Sequence, residues 1–246
     1  ETLDLSKAVK TGRSRGTQII SIVNVKGSSL SRLSDQNIFM NVGPEICVLS
    51  TKSYTAQVAI LMLIATALVI KPNQAKQEIE EIIRNIYYLT SESARKYTKE
   101  LSQILRYSNH IFTIGRGRDY ATAMEAALKI KEVSYIHAEG FAGGEIKHRP
   151  IAMIEHGTPC IVFVPNQENQ DILSNAQELK TRGAFIIGIS EKKHEVFDYW
   201  IKVVGPDKFS PILRIIPIQA LSYYLAVMKG LDPAKPRNLA KSVTVK

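Results

Sequence analysis

Side chains that can exchange protons are concentrated between residues 121 and 150. Glu125, Lys129 and Glu132 recur at intervals of four and three residues, so they share one face of a helix. A glycine-rich stretch with two more glutamates, a lysine and two histidines follows at residues 137–148. Carboxylates, amines and imidazoles beside flexible backbone suit an acid–base site. On spacing alone, an ordinary helical Glu–Lys pair worth about 0.2–0.5 kcal/mol is the simpler interpretation.

Longer motifs in the same region resemble a known family of enzymes. The stretch ALKIKEVSYIHAE, followed by GGEIKHRP, resembles the second sugar-isomerase (SIS) half of glutamine–fructose-6-phosphate aminotransferases, also called glucosamine-6-phosphate synthases. The C-terminal stretch PRNLAKSVTV resembles the end of the same family almost residue for residue. The resemblance extends over nearly the whole chain and implies a sugar-phosphate isomerase domain.

The resemblance implies Schiff-base chemistry at a lysine. Lys241 matches the family lysine that condenses with the C2 ketone of open-chain fructose-6-phosphate. Glu132 matches the carboxylate that moves a proton between C1 and C2, and Lys129 would assist proton transfer at the sugar oxygens. Arg237 lies four residues before Lys241 and could keep its amine partly neutral or stabilise a developing oxyanion.

A histidine from a second subunit is also implied. His148 matches the family's ring-opening acid–base, which the neighbouring subunit supplies, so we expect a homodimer. Arg149 departs from the family pattern, in which glycine is expected after this histidine. Glu125 and His137 match the pattern too, but helix pairing and core hydrogen bonding explain them equally well.

The resemblance further assigns contacts with the sugar phosphate. Thr2 matches the last residue of a turn reading S-x-S-G-E-T, which would bind phosphate at a helix N-terminus. Without the resemblance, this threonine is an ordinary N-cap. Val48 would contact the substrate through its backbone, and Ser50 and Ala240 complete the expected substrate-binding set.

Composition favours a globular protein with anionic partners. The 246 residues suffice for one large or two small domains, and the hydrophobic fraction of 45% suits a buried core. The net charge of +9 favours phosphorylated metabolites or nucleic acid as partners. Basic residues are mostly dispersed and no nucleic-acid-binding motif is present, so we expect no nucleic acid as a partner. The resemblance implies a hexose-6-phosphate substrate.

Cysteine and histidine usage predicts a reduced cytoplasmic protein without metal. Cys47 and Cys160 lie far apart in apolar surroundings, which is typical of buried thiols. His137 and His148 are distant in spacing, so we expect no metal ligands and no cofactor. The longest apolar run, Val58–Ile70, is too short to span a bilayer of roughly 30 Å, and no signal peptide is seen. We therefore expect no membrane association.

Strand and helix patterns alternate along the chain, which predicts an α/β fold with parallel sheets. In detail, we expect two SIS-type three-layer α/β/α subdomains and an extended C-terminal tail. Residues 115–117, Gly-Arg-Gly, are interpreted as a tight strand–helix turn, since the rest of a dinucleotide-binding motif is missing. Strands are predicted at Thr17–Val25, Ile38–Val42, Ile111–Ile114, Ile151–Ile154, Cys160–Val164, Ala184–Ile189 and Tyr199–Val204.

Four segments are predicted along the chain. The first SIS subdomain covers residues 1–73 and lacks its N-terminal strand and most of the phosphate loop. Connecting helices follow at 74–105, and the second SIS subdomain covers 106–231. Residues 232–246 form a tail that the resemblance folds over the active site; composition alone would make it a disordered basic terminus.

The most specific functional hypothesis is conversion of fructose-6-phosphate toward glucosamine-6-phosphate. Ammonia would come from a glutaminase domain. We expect this domain to be absent from the chain, because the family's glutaminase domain begins with a cysteine nucleophile and residue 1 here is glutamate. Two alternatives stay open. The chain could be a non-catalytic sugar-phosphate-binding module, or an amino-sugar-phosphate deaminase or deglycase that uses the same scaffold.

Overall fold

The computed structural model describes residues 3–69, 72–167 and 169–239. The described residues fall into two compact units. The first unit comprises Glu1–Ala65 and Ala234–Lys246, and the second comprises Thr66–Pro233. The four-part division made from the sequence stays a prediction.

The first unit contains a two-stranded parallel sheet. Strand β1 pairs with β2 in a register that joins Ile20 to Gln36 and Val23 to Phe39. The Asp35 carboxylate accepts hydrogen bonds from the Ile19 backbone N–H, at 2.7 Å, and from Arg13 at 3.2 Å. The Ile19 bond holds the pKa of Asp35 below its usual value. The elements are α1 (Leu3–Ser14), β1 (Ile20–Val23), α2 (Ser29–Leu33), β2 (Gln36–Phe39) and α3 (Thr51–Ala67), which ends in the second unit.

The second unit is built on five parallel strands in the order β4-β3-β5-β6-β7. All the neighbouring pairs are parallel, which confirms the α/β class predicted from the alternating pattern. Its elements are α4 (Pro72–Leu89), α5 (Glu92–Leu105), β3 (His110–Gly115), α6 (Arg118–Ser134), β4 (His137–Ala142), β5 (Pro159–Phe163), α7 (Gln170–Lys180), β6 (Phe185–Ser190), β7 (Tyr199–Lys202) and α8 (Ser210–Met228).

Helices cover both faces of the five-stranded sheet. Alternate strand residues such as Phe112 and Val162 form one buried cluster with Ile172 and Leu179 of α7. On the opposite face, the Thr113 hydroxyl donates to the carbonyl of Ala123 in α6 at 2.7 Å. Because successive strand residues point to opposite faces, these contacts place α7 and α6 on different sides of the sheet.

Helix α6 approaches strand β4 closely at Gly140. A Cβ atom at Gly140 would come within 2.9 Å of the Ala123 carbonyl oxygen and of the Met124 Cα atom. Glycine at this position therefore sets how closely the helix approaches the sheet.

Two segments differ from the sequence-based expectation. The predicted strand Ile151–Ile154 is wrong, because Pro150–Met153 forms a 3-10 helix. Pro150 has no N–H to donate to a ladder and suits the first turn of a helix. The glycine-rich stretch at 137–148, interpreted as flexible backbone, is regular in its first half. His137–Ala142 pairs with β3 as strand β4, and a turn begins at Gly143.

Helix α8 packs against α4, α5 and α6 in the second unit. The window Asp207–Met228 is long and apolar enough to cross a membrane, but 61% of it is buried within the protein. Arg214, in the first half of the helix, is buried as well. These properties favour a core helix packed between α5 and α6.

The two cysteines differ in burial. Cys160 lies in the core of the second unit, and burial raises the pKa of its thiol to about 12. Cys47 is only half-buried, so the expectation of a buried thiol is confirmed at Cys160 alone.

Candidate active site

Helix α6 brings Glu125, Lys129 and Glu132 into one ion-paired group. The Lys129 Nζ atom lies 3.2 Å from Glu125 Oε1 and 3.0 Å from Glu132 Oε2. The exposed fractions of the side chains are 5% for Lys129, 15% for Glu125 and 20% for Glu132. This is a largely buried triad in which two carboxylates share one ammonium group. It differs from the ordinary helical Glu–Lys pair of the simpler interpretation, because both glutamates take part and little of the group is exposed.

The end of α6 fixes where Glu132 lies. Tyr135 adopts a left-handed conformation with φ 57° and ends the helix. The Ser134 hydroxyl donates to the Ile130 carbonyl at 2.6 Å and accepts the Ile136 N–H at 3.3 Å. Because the residues after Glu132 are tied down in this way, its backbone position is well defined.

His148 lies away from Glu132 within the chain. Helix α6 runs back along the sheet, so Glu132 lies near the amino ends of the strands, whereas His148 follows the carboxyl end of β4. The six residues of β4 span about 20 Å. The turn is anchored at that end, because the Gly143 N–H donates to the Gly115 carbonyl at 2.9 Å. The structure therefore does not bring these two predicted catalytic residues together in one subunit.

The residue after His148 has an unfavourable backbone conformation. Arg149 has φ 91° and ψ −44°, a region that suits glycine and strains a residue with a Cβ atom. The family resemblance leads one to expect glycine here, and the backbone gives the physical reason.

Arg149→Gly is expected to raise the free energy of unfolding by about 1 kcal/mol. Relief of a strained conformation contributes about 1–3 kcal/mol, and the added freedom of glycine in the unfolded chain offsets part of it. Urea unfolding of both proteins would measure the difference. Arg182→Gly, at the end of α7 without a positive φ, is the control and should not stabilise the protein. A destabilised Arg149→Gly variant would show that the arginine side chain contributes more than the strain costs.

The expected substrate-binding residues are only partly described. Val48 and Ser50 lie in the loop before α3, where the Ser50 hydroxyl donates to the Val48 carbonyl at 3.0 Å. Arg237 is exposed. Thr2, Ala240 and Lys241 lie outside the described residues, so their predicted roles stay predictions.

An open depression of about 460 Å³ adjoins the carboxyl end of β1 in the first unit. Its polar lining includes Ser6, Asn24, Lys26 and Ser28. Amide, hydroxyl and ammonium groups at this end of parallel strands suit a phosphorylated sugar. Val48 and Ser50 are not among the residues that line it, and sequence analysis did not single out Asn24 or Lys26.

The second unit also contains a buried polar network that the sequence did not predict. Both terminal nitrogens of Arg214 are paired, Nη1 with Asp119 and Nη2 with Asp207 at 2.8 Å, and Ser210 donates to Asp119 at 3.1 Å. Burial raises the pKa of Asp119, while the Arg214 guanidinium opposes this shift. Asp119 and Arg214 are 95 residues apart, so no local spacing signals the contact.

Two histidines meet at the amino ends of the strands. The Nδ1 atoms of His110 and His137 are 3.2 Å apart, and the ring centroids are 5.3 Å apart. No local spacing signals this pair, because the contact depends on how β3 pairs with β4. Among the described residues, no group of three or more His, Cys, Asp or Glu side chains is arranged to hold a metal ion.

Comparison with known proteins identifies the fold family. The SIS domain model matches residues 1–67 and 104–229 of this chain. The glutamine–fructose-6-phosphate aminotransferase (isomerizing) of Pyrococcus horikoshii is 42% identical over the whole chain, and that of Clostridium perfringens is 40% identical. The chain spans 42% of the length of each of these relatives.

Solved structures agree with this relationship. The C-terminal domain of the Francisella tularensis glucosamine-fructose-6-phosphate aminotransferase superposes with a TM-score of 0.84 and 33% identity, covering 96% of this chain and 71% of that one. A Thermotoga maritima glucosamine-6-phosphate deaminase gives a TM-score of 0.80 with 23% identity, covering 99% of this chain and 72% of that one. The second similarity shows the fold alone. The resemblance found in the sequence motifs is therefore confirmed.

Proposed function

Because this chain belongs to the SIS domain family, we propose that it is the isomerase part of a glutamine–fructose-6-phosphate aminotransferase. In this role it combines fructose-6-phosphate with ammonia to give glucosamine-6-phosphate, and a glutaminase domain outside this chain supplies the ammonia. The observation that carries the proposal is the buried Glu125–Lys129–Glu132 triad. Similarity along the whole chain to enzymes of that name supports it.

The proposed chemistry begins at Lys241. Its neutral amine adds to the C2 carbonyl of the open-chain ketose, water leaves, and a Schiff base forms. Ammonia then displaces the lysine amine and leaves an imine at C2. Glu132 removes a proton from C1 and returns one to C2, so that C1 becomes the aldehyde carbon and C2 carries the amino group.

The geometry of the triad suits this proton transfer. Only one oxygen of Glu132, Oε2, is held in the ion pair with Lys129, at 3.0 Å. The carboxylate is thereby oriented while its other oxygen stays outside that pair. Lys129 holds its own position through Glu125 and can donate hydrogen bonds to sugar oxygens. In a largely water-excluded setting, these charges interact more strongly than they would at an exposed surface.

We assign ring opening to His148 of a partner subunit in a homodimer. Glu132 and His148 lie at opposite ends of β4 in one chain, so a shared active site needs a second copy. Tyr120, Met124 and Leu128 form an exposed apolar stripe at intervals of four residues on α6. Such a stripe on the helix that carries Glu132 supports burial against a partner.

The same proposal assigns roles to the remaining predicted residues. Thr2, Val48, Ser50 and Ala240 bind the sugar phosphate, and Arg237 supports Lys241. The two-stranded unit corresponds to the first SIS subdomain and the five-stranded unit to the second. We also propose a cytoplasmic location, which agrees with the buried thiol of Cys160.

Borohydride reduction with fructose-6-phosphate is expected to attach the sugar covalently to Lys241. Borohydride converts a Schiff base into a stable amine, and peptide mass spectrometry of the full-length protein would locate the adduct. Lys241→Arg should abolish the adduct, whereas Lys235→Arg, at an exposed lysine nearby in sequence, should keep it.

Absence of an adduct at Lys241 under saturating substrate would contradict the proposal. Binding of fructose-6-phosphate in calorimetry without turnover would then favour a non-catalytic module. Release of ammonia from an amino-sugar phosphate would instead favour a deaminase or deglycase.

A further inference from the structure

His110 and His137 occupy directly opposed positions on adjacent parallel strands. The register pairs His110 with His137 at the first residues of β3 and β4. Opposed residues of neighbouring strands project from the same face of the sheet, so the two imidazoles face each other. Both side chains are exposed, and an ion from solvent can therefore reach them.

The backbone beneath the pair is rigidly held. Ile111 and Phe112, which follow His110, are buried in the core of the second unit, and so are the neighbours of His137, Ile136 and Ala138. Six consecutive residue pairs join β3 to β4. The separation of the two histidines is thus set by the sheet, and binding a ligand costs little ordering of the chain.

The distance between the ring nitrogens fits a metal ion. The Nδ1 atoms are 3.2 Å apart. Two nitrogens that each lie about 2.0–2.1 Å from a shared ion, at this separation, subtend an angle of about 100–105° at the ion. This angle lies between the square-planar or octahedral value and the tetrahedral value, so ions of several preferred geometries can be accommodated.

We propose that His110 and His137 form a two-nitrogen binding site for a divalent transition-metal ion. Water completes the coordination, since the described residues provide no third His, Cys, Asp or Glu ligand. Imidazole ligands suit Zn²⁺, Ni²⁺ and Cu²⁺, and among these Cu²⁺ binds most tightly to a given nitrogen site. Without an ion, the two Nδ1 atoms share one proton in a hydrogen bond.

The site is independent of the proposed isomerase activity. It consists of two surface imidazoles and uses none of the side chains assigned to Schiff-base or proton-transfer chemistry. Failure of the proposed function would leave this site unaffected, and absence of metal binding would leave the proposed function unaffected.

Calorimetric titration with CuCl₂ and NiCl₂ tests the proposal. The full chain, free of any histidine tag and in a non-coordinating buffer, is expected to bind about one equivalent of either ion. His110→Gln and His137→Gln should each weaken binding at least about tenfold, because a single imidazole remains. His156→Gln changes an exposed histidine elsewhere and should leave the affinity unchanged.

Paramagnetic resonance of the Cu²⁺-loaded wild-type protein gives a second readout that needs no variant to fold. Coupling to two imidazole nitrogens is the expected spectrum. A spectrum with only one imidazole, or equal affinities for the wild type and both variants, would overturn the proposal and indicate adventitious binding elsewhere.

Discussion

Lys129→Met is expected to lower the free energy of unfolding by about 3–5 kcal/mol. Methionine keeps much of the length of the lysine stem but removes the ammonium that pairs Glu125 and Glu132. Two largely buried carboxylates would then face each other without a counter-charge. Leaving buried charges uncompensated is far more costly than losing a surface ion pair.

Urea unfolding followed by circular dichroism would measure this loss. Lys131→Met removes an exposed lysine two residues away on the same helix and should change stability by less than about 0.5 kcal/mol. Converting Glu125 and Glu132 to glutamine in the Lys129→Met protein should restore most of the stability, since no buried charge then remains. Equal effects of Lys129→Met and Lys131→Met would contradict the description of the triad as a buried group.

Glu132→Gln is expected to lower the turnover number about 10²–10⁴-fold while the substrate KM changes little. Glutamine has nearly the same shape and can still accept a hydrogen bond from Lys129. It cannot take a proton from C1, so the loss falls on the chemical step rather than on binding.

Formation of glucosamine-6-phosphate from fructose-6-phosphate and ammonia, by the full-length protein, provides the measurement. Glu178→Gln on α7 makes the same chemical change outside the proposed site and is expected to retain wild-type turnover. Exchange of the C1 proton with deuterated water should disappear in Glu132→Gln. A variant that keeps full turnover and exchange would exclude Glu132 as the base.

Helices whose side chains repeat at regular spacing could be predicted from the sequence. The face shared by Glu125, Lys129 and Glu132 could be predicted because helical spacing is a property of neighbouring residues. Strand β4 could not be predicted in the same way. Its sequence, HAEGFA, combines glycine with polar residues and becomes a strand because it pairs with β3 and receives α6.

Contacts that depend on tertiary structure could not be predicted from the sequence. Spacing on α6 cannot reveal that Lys129 is buried, since that depends on packing against elements far along the chain, including α8. The contact of Asp119 with Arg214 and that of His110 with His137 arise in the same way. The family resemblance supplied roles for Lys241 and Ala240, and these lie beyond the described residues.

The absence of a side chain at Gly140 has a consequence for motion during turnover. At Gly140, strand β4 presents no side chain to helix α6, so there is no side chain at this point that could be compressed or rearranged between them. Under the proposed function, we therefore expect the helix that carries Glu132 to keep its place on the sheet during the reaction. Any movement that admits the sugar or expels water is then expected in other segments.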